Sequence, residues 1–217
     1  MDPARIQELL EPFFANDQWP TANGTLSPTQ LKYISTYIDL LLRWNARINL
    51  TAIREPEEIV TRHFGESLYA ARRLFPANGQ QPTANSVVDI GSGPGFPGIP
   101  IKLWAPQIHL TLIESHQKKA SFLREVVRTL TLTDIDIFPG RAEDFPSQAD
   151  VVTLRAVEHF EQILPVAAGL VKPNGRLALL IGSAQVPLAK DLAPNLHWET
   201  PSQIPKSLTR TLLIGKS

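Results

Sequence analysis

The sequence predicts an α/β fold: a mostly parallel sheet with helices on both faces, entered through an N-terminal helical segment. Three observations predict it. A short apolar run, Val87-Val88-Asp89-Ile90, is followed by glycines at 91, 93, 95 and 98 and then by a helical stretch closed by Pro106. Strand, glycine turn and helix form the first unit of a doubly wound nucleotide-binding fold. From residue 109 onward, short apolar runs alternate with amphipathic helical ones, the pattern of a parallel sheet. Before residue 76 the apolar residues recur only at helical spacing.

Taken in order, residues 3–15 form an amphipathic helix with Ile6, Leu9, Leu10, Phe13 and Phe14 on one side, and 16–26 form a loop. Ser27-Pro28-Thr29-Gln30 is a helix start, with Ser27 as N-cap and Gln30 closing a capping box. That helix runs to about 45, and Pro56 starts another that carries Ile59, Val60, Phe64 and Leu68. Residues 76–85 are a linker into the α/β part. Strands are expected at 87–90, 109–114, 135–138, 150–154 and 176–181, with a turn at 172–175. Helices are expected at 99–104, 117–130, 160–171 and 187–192, and an antiparallel pair at 196–200 and 208–214 closes the sheet. The expected division is a helical extension, 1–80, packed on a core, 81–217, as one structural unit.

Composition narrows the chemistry. The chain has 217 residues, 43% hydrophobic and 19% charged, enough for one large domain with a real core. Its 21 basic and 21 acidic residues cancel, which argues against strong non-specific binding of nucleic acid but leaves room for a local basic face. The absence of cysteine excludes disulfides, cysteine metal sites and a cysteine nucleophile. Five scattered histidines offer no metal-ligand spacing. No apolar run approaches a membrane span, and the first residues lack a signal pattern, so a cytoplasmic protein is expected.

The glycine turn admits three ligands. A phosphate-binding P-loop needs a lysine that the turn lacks. A dinucleotide fingerprint is formally met by residues 93–98, but Pro94 and Pro97 remove N–H donors that a pyrophosphate would use. S-adenosylmethionine carries no phosphate and suits an acid ahead of the glycines, here Asp89.

In such a sheet the ligand lies beyond the carboxyl ends of the strands. Glu114 ends the second strand, where a carboxylate can take both ribose hydroxyls or simply charge a helix N-terminus. Gly140-Arg141-Ala142-Glu143-Asp144 follows the third strand and could read an adenine edge. Arg155 follows the fourth, nearest the reactive end. A cation there needs an anion beside it: the cofactor carboxylate, Asp89 or a phosphate. Arg43, Arg47 and Arg54 mark either a phosphate-facing lip or a solvated helix end. His63 lies one residue off its helix's apolar stripe, facing a cleft or satisfied in the core.

Several stretches together carry a resemblance: Asn49-Leu50-Thr51-Ala52-Ile53, Arg62-His63-Phe64-Gly65-Glu66-Ser67-Leu68, the segment from Asp89 to Pro100, Glu114-Ser115 with Lys118-Lys119 and Phe122-Leu123, Arg141-Ala142-Glu143, and Arg155-Ala156-Val157. In this order and spacing the chain resembles the ribosomal RNA small subunit methyltransferase G family, also called glucose-inhibited division protein B. The resemblance implies a class I, Rossmann-like methyltransferase with a seven-stranded sheet and a helical N-terminal extension. It implies methylation of N7 of one guanosine in 16S ribosomal RNA, within the small ribosomal subunit or an assembly intermediate, with S-adenosylmethionine as cofactor and neither metal nor membrane. Its cofactor contacts fall on Gly91, Phe96, Ala142, Glu143 and Arg155, with Asp89, Gly93, Gly95 and Glu114 completing the site. Arg155 and His63 are the candidate catalytic residues, and Arg43, Arg47, Asn49 and Arg54 the candidate RNA contacts. N7 of guanine has a free in-plane lone pair, so the lack of an acid–base pair is expected. It is equally expected of a methyltransferase acting on a small molecule or a protein. A non-catalytic nucleotide-binding module or an NAD(P) oxidoreductase also fits the glycines taken alone.

Overall fold

The computed structural model describes residues 1–15, 25–76 and 86–217. The expected loop at 16–26, the linker at 76–85 and the boundary at 80 fall almost wholly outside the described residues.

Helix α1, Pro3–Phe14, starts on Asp2, whose side chain accepts from Ala4 N, and it buries Ile6, Leu10 and Phe13. Helix α2, Pro28–Asn45, begins with both halves of the expected capping box. Its buried residues, Leu31, Ile34, Tyr37, Ile38, Leu40 and Leu41, follow the helical period. The helix expected from Pro56 is three pieces: α3, Pro56–Glu58, a π-helical turn, Ile59–Gly65, and α4, Glu66–Leu74. The wide turn is the main departure here. It lets Phe13 of α1 lie directly on Gly65, where a Cβ would have no room. Segments of this kind recur at functional sites.

The sheet contains β1 (Ser86–Ile90), β2 (His109–Ile113), β3 (Ile135–Phe138), β4 (Ala149–Arg155), β5 (Val171–Gly182), β6 (His197–Trp198), β7 (Ser202–Gln203) and β8 (Arg210–Lys216). Its order is β3-β2-β1-β4-β5-β8-β6, with β7 also paired to β8. The eight strands thus occupy seven positions, the last shared by two dipeptide strands on β8. Strands β1 to β5 are parallel and β8 is antiparallel to β5. The turn expected at 172–175 is an outward insertion within β5: Ala149 pairs Val171, then Val151 pairs Arg176. Asn174 takes φ +63° there, and the preceding helix α7, Phe160–Gly169, ends two residues earlier than expected.

Alternate strand residues face opposite layers. Val87, Leu110, Leu112, Val151, Ala178, Leu180 and Leu212 join the buried residues of α1, α2 and α4, of α5 (Gly98–Trp104) and of α6 (Gln117–Thr129) in one continuous cluster. Val88, Ile90, Ile113, Val152, Leu154, Leu177 and Leu179 face α7 and α8 (Val186–Leu192). The helical extension therefore shares its core with one face of the sheet. Polar ties cross the same seam, Gln30 Nε2 donating to Leu103 O and Trp104 Nε1 to Phe75 O, while Arg72 Nη1, donating to Phe13 O, ties α4 to α1 within the extension. The strand order reverses between β1 and β4, so their carboxyl ends open one crevice.

Candidate active site

The glycine turn leaves β1 into that crevice. Gly91, Gly93 and Gly95 take φ of +63°, +55° and +93°, conformations closed to most side chains. Ser92 O receives Gly95 N and Phe96 N, and Ser92 N donates to Ile113 O at the end of β2. A Cβ built on Gly93 would meet nothing nearer than Gly91 O at 3.8 Å, so there is open space over the turn. Beside it, Glu114 Oε2 accepts from Gly93 N at 2.8 Å and Oε1 from His116 N at 2.7 Å. Each oxygen keeps a second lone pair. An acceptor pair next to an open glycine backbone fits a ligand that brings hydroxyl donors, which is the test S-adenosylmethionine must pass here. Ala142 is buried in a short 3-10 turn after β3, with Glu143 exposed.

Asp89 does not face the space above the glycines. It is fully buried beneath the turn, where Oδ1 accepts from Thr153 Oγ1 at 2.7 Å and Oδ2 from Gly98 N at 3.2 Å. Burial pushes its carboxyl up to about 6, against those hydrogen bonds. Phe96 is also buried; its ring stacks on His63 at 4.7 Å and on Tyr37 at 5.4 Å.

Arg155 has its anion, and it is Glu66. Nη2 donates to Glu66 Oε2 at 3.0 Å and to Arg62 O at 2.9 Å, and Nη1 donates to His63 Nδ1 at 3.0 Å. Arg62 Nε reaches Glu66 Oε1 at 3.3 Å, and Arg210 Nε lies 3.1 Å from Oε2, though not aligned as a hydrogen bond. Three guanidiniums thus surround a carboxylate that is 2% exposed. Because arginine only donates, His63 Nδ1 must accept; Nε2 then carries the proton and donates to Thr51 Oγ1 at 2.9 Å. Burial, with Arg155, Arg62 and Arg210 nearby, pulls His63 down to about 3, so the ring is neutral.

Arg43, Arg47, Asn49 and Arg54 are exposed at the end of α2 and in the turn beyond it. Asn45 closes this turn, accepting from Leu50 N and Thr51 N and donating to Thr51 O. Arg47, Ile48 and Asn49 share a groove with His116, Lys118 and Lys119; Arg43 and Trp44 extend it. Arg54 lines neither part. Lys118 and Lys119 stand in the first turn of α6, the positive end of its dipole; that turn holds no acid, and Glu125 lines the groove beyond it. That placement does nothing for helix stability, which marks the two lysines as candidates for an anion-facing surface. Glu66, Arg62 and Arg210 carried only a weaker sign, the i,i+4 spacing of Arg62 and Glu66. No helix among the described residues is long and apolar enough to cross a membrane, and none of their His, Asp or Glu side chains group in threes that could hold a metal ion.

The family model for rRNA small subunit methyltransferase G matches residues 30–199. The chain belongs to this family. Ribosomal RNA small subunit methyltransferase G of Xylella fastidiosa is 40% identical over 176 residues, 78% of either chain. That of Stenotrophomonas maltophilia strain K279a is 40% identical over 182 residues, covering 83% of this chain and 79% of its own. That of Xanthomonas euvesicatoria is 42% identical over 148 residues, 67% of this chain and 66% of its own. Among solved structures, magnesium protoporphyrin IX methyltransferase from Synechocystis, with bound SAM, superposes with a TM-score of 0.63 at 14% identity, covering 90% of this chain and 99% of that one. M. jannaschii TYW2 in complex with AdoMet gives 0.56 at 16% identity, covering 79% and 78%. These two likenesses show the methyltransferase fold. The stretch matched to the methyltransferase G family runs from α2 to β6 and contains the glycine turn, Glu66, Glu114 and Arg155.

Proposed function

We propose that this chain transfers the methyl group of S-adenosylmethionine to N7 of a guanosine in 16S ribosomal RNA. The substrate is the small ribosomal subunit or an assembly intermediate, the setting is cytoplasmic, and no metal takes part. The observation that carries this reading is the family match over residues 30–199.

Gly91, Gly93, Gly95, Phe96, Glu114, Ala142 and Glu143 would hold the cofactor, with Asp89 shaping the turn from beneath. When bound, the cofactor supplies an electrophilic methyl group on a sulfonium. Guanine N7 presents a lone pair and no proton, so no residue has to act as a base. His63 is suited to positioning: it cannot take a proton on Nδ1 without losing the bond from Arg155. Arg155, Arg62 and Arg210 face two carboxylates, Glu66 and the exposed Glu58, and keep a surplus positive charge for an RNA phosphate. Holding the base in line and excluding water can supply up to about 7–11 kcal/mol. Arg43, Arg47 and Asn49, with Lys118 and Lys119, offer a phosphate-binding face.

The test is methyl transfer from labelled cofactor to isolated small subunits, followed by nucleoside analysis. 7-Methylguanosine in 16S RNA is expected; label only in protein or small molecules would end this reading. Changing Arg43, Arg47 and Arg54 together to Ala should flatten the salt dependence of subunit binding and leave cofactor affinity unchanged. An unaltered slope would return these arginines to a solvated surface. Glu114→Ala should raise the dissociation constant for S-adenosylhomocysteine roughly 10- to 150-fold, from loss of charge-assisted bonds of ~1.5–3 kcal/mol. An unchanged constant in the folded variant would remove Glu114 from the site.

A further inference from the structure

We propose that Tyr37, on helix α2 of the N-terminal extension, is a positioning residue for the cofactor turn: its hydroxyl, donating to Pro94 O, holds the turn in the shape that takes S-adenosylmethionine. This rests on the reading that the turn is where the cofactor binds.

Tyr37 is fully buried, where a phenylalanine would fill the same apolar space. A buried hydroxyl needs a partner, and this one finds it in the glycine turn. Pro94 lies between Gly93 and Gly95, both at positive φ, so its carbonyl is bracketed by the two most permissive joints of the turn. Among the described residues Tyr37 is the only hydrogen-bond partner of that carbonyl. The N–H of the same Pro94–Gly95 peptide donates to Ser92 O, so the Tyr37 hydroxyl secures its second polar group and completes the anchoring of that peptide.

The ring is fixed independently of its hydroxyl. It stacks on Phe96 at 5.4 Å and 6°, and meets Phe64 edge-on at 5.3 Å and 88°. The fit is close on the turn's side as well. A Cβ on Gly95 would collide with the Tyr37 hydroxyl and come within 2.7 Å of Ile99 Cδ1. Tyr37, on the extension, and the turn, on the core, are therefore matched to each other. Loss of the hydroxyl spreads the turn over more conformations, and affinity falls in proportion to the fraction that remains competent.

The experiment uses Tyr37→Phe in the full chain, with Glu114→Ala in parallel. Calorimetry with S-adenosylhomocysteine is expected to show about fivefold weaker binding for Tyr37→Phe, one hydrogen bond's worth. The KM for S-adenosylmethionine should rise to match, while the KM for small subunits and kcat at saturating cofactor stay at the wild-type values. Amide exchange at Gly95 and Phe96 should quicken. A purely structural tyrosine would lower the melting temperature and leave cofactor affinity unchanged. If Glu114→Ala loses affinity and Tyr37→Phe does not, this inference fails and the turn remains the cofactor site. If neither variant loses affinity, the turn assignment fails and takes this inference with it.

Discussion

Glu66→Ala is expected to cost about 3–5 kcal/mol of folding free energy, the usual penalty for removing one partner of a buried ion pair. Glu66 lies between Arg62, Arg155 and Arg210, which are 41%, 7% and 22% exposed. Arg62 and Arg210 can turn toward water when the carboxylate goes. Arg155 cannot; it would remain buried on the carbonyl of Arg62 and the ring of His63, both uncharged acceptors. Among the described residues its Nε already has no hydrogen-bond partner, so little is in reserve. Urea unfolding at pH 7 measures the loss, and an unchanged midpoint would mean that Arg155 does not depend on Glu66. A double variant, Glu66→Ala with Arg155→Met, should recover most of the stability, since apolar replacement of a whole buried pair is often neutral or better. On the function proposed above it should not recover methylation, because the Arg155 cation at the end of β4 is gone.

What could be read in advance was what local chemistry encodes. The capping box at Ser27 and Gln30, the strand at Ile135–Phe138 and the glycine turn each announce themselves within a few residues. The antiparallel closure by β8 was legible from the apolar runs near the C-terminus. The π-helical turn was not: it carries the contact of Gly65 with Phe13, fifty-two residues earlier on another helix, and no local pattern announces it. The same holds for the site. Asp89 was singled out as the acid ahead of the glycines, and Glu114 and Arg155 by their places at strand ends. Glu66 in sequence is only the i+4 partner of Arg62, an ordinary surface pairing; its burial appears once β4 and β8 bring Arg155 and Arg210 onto it. Arg210 has no local signal at all. Asp89 lies where it was expected, but its carboxylate turns beneath the glycines and accepts from Thr153 and Gly98.

His63 should make the protein lose stability in acid, and His63→Gln should remove that loss. The ring's folded value of about 3 lies well below the ordinary 6.5. Such a group contributes stability that is present above 6.5 and is lost as pH falls toward 3. By pH 4.5 the loss is about 3 kcal/mol, at 1.36 kcal/mol for each unit. Asp89 acts in the opposite direction. Raised to about 6 from 3.8, it stabilises the folded state only when protonated. Its contribution therefore grows as pH falls through 6 and amounts to roughly 2 kcal/mol by pH 4.5. With these two groups opposed, the wild type should lose about 1 kcal/mol between pH 7 and 4.5. Glutamine can accept from Arg155 and donate to Thr51 as the neutral imidazole does, but it cannot be protonated. In His63→Gln only the Asp89 contribution of this pair survives, so its stability should rise by about 3 kcal/mol relative to the wild type over the same interval. Carboxylates elsewhere shift both curves alike, which makes the difference between the two proteins the quantity to measure, by urea unfolding at half-unit steps. Parallel curves would mean that His63 does not stay neutral in the folded protein. Methylation by the protein that stays folded should not respond to His63 over this interval, because Nδ1 keeps accepting from Arg155 until the pH approaches 3.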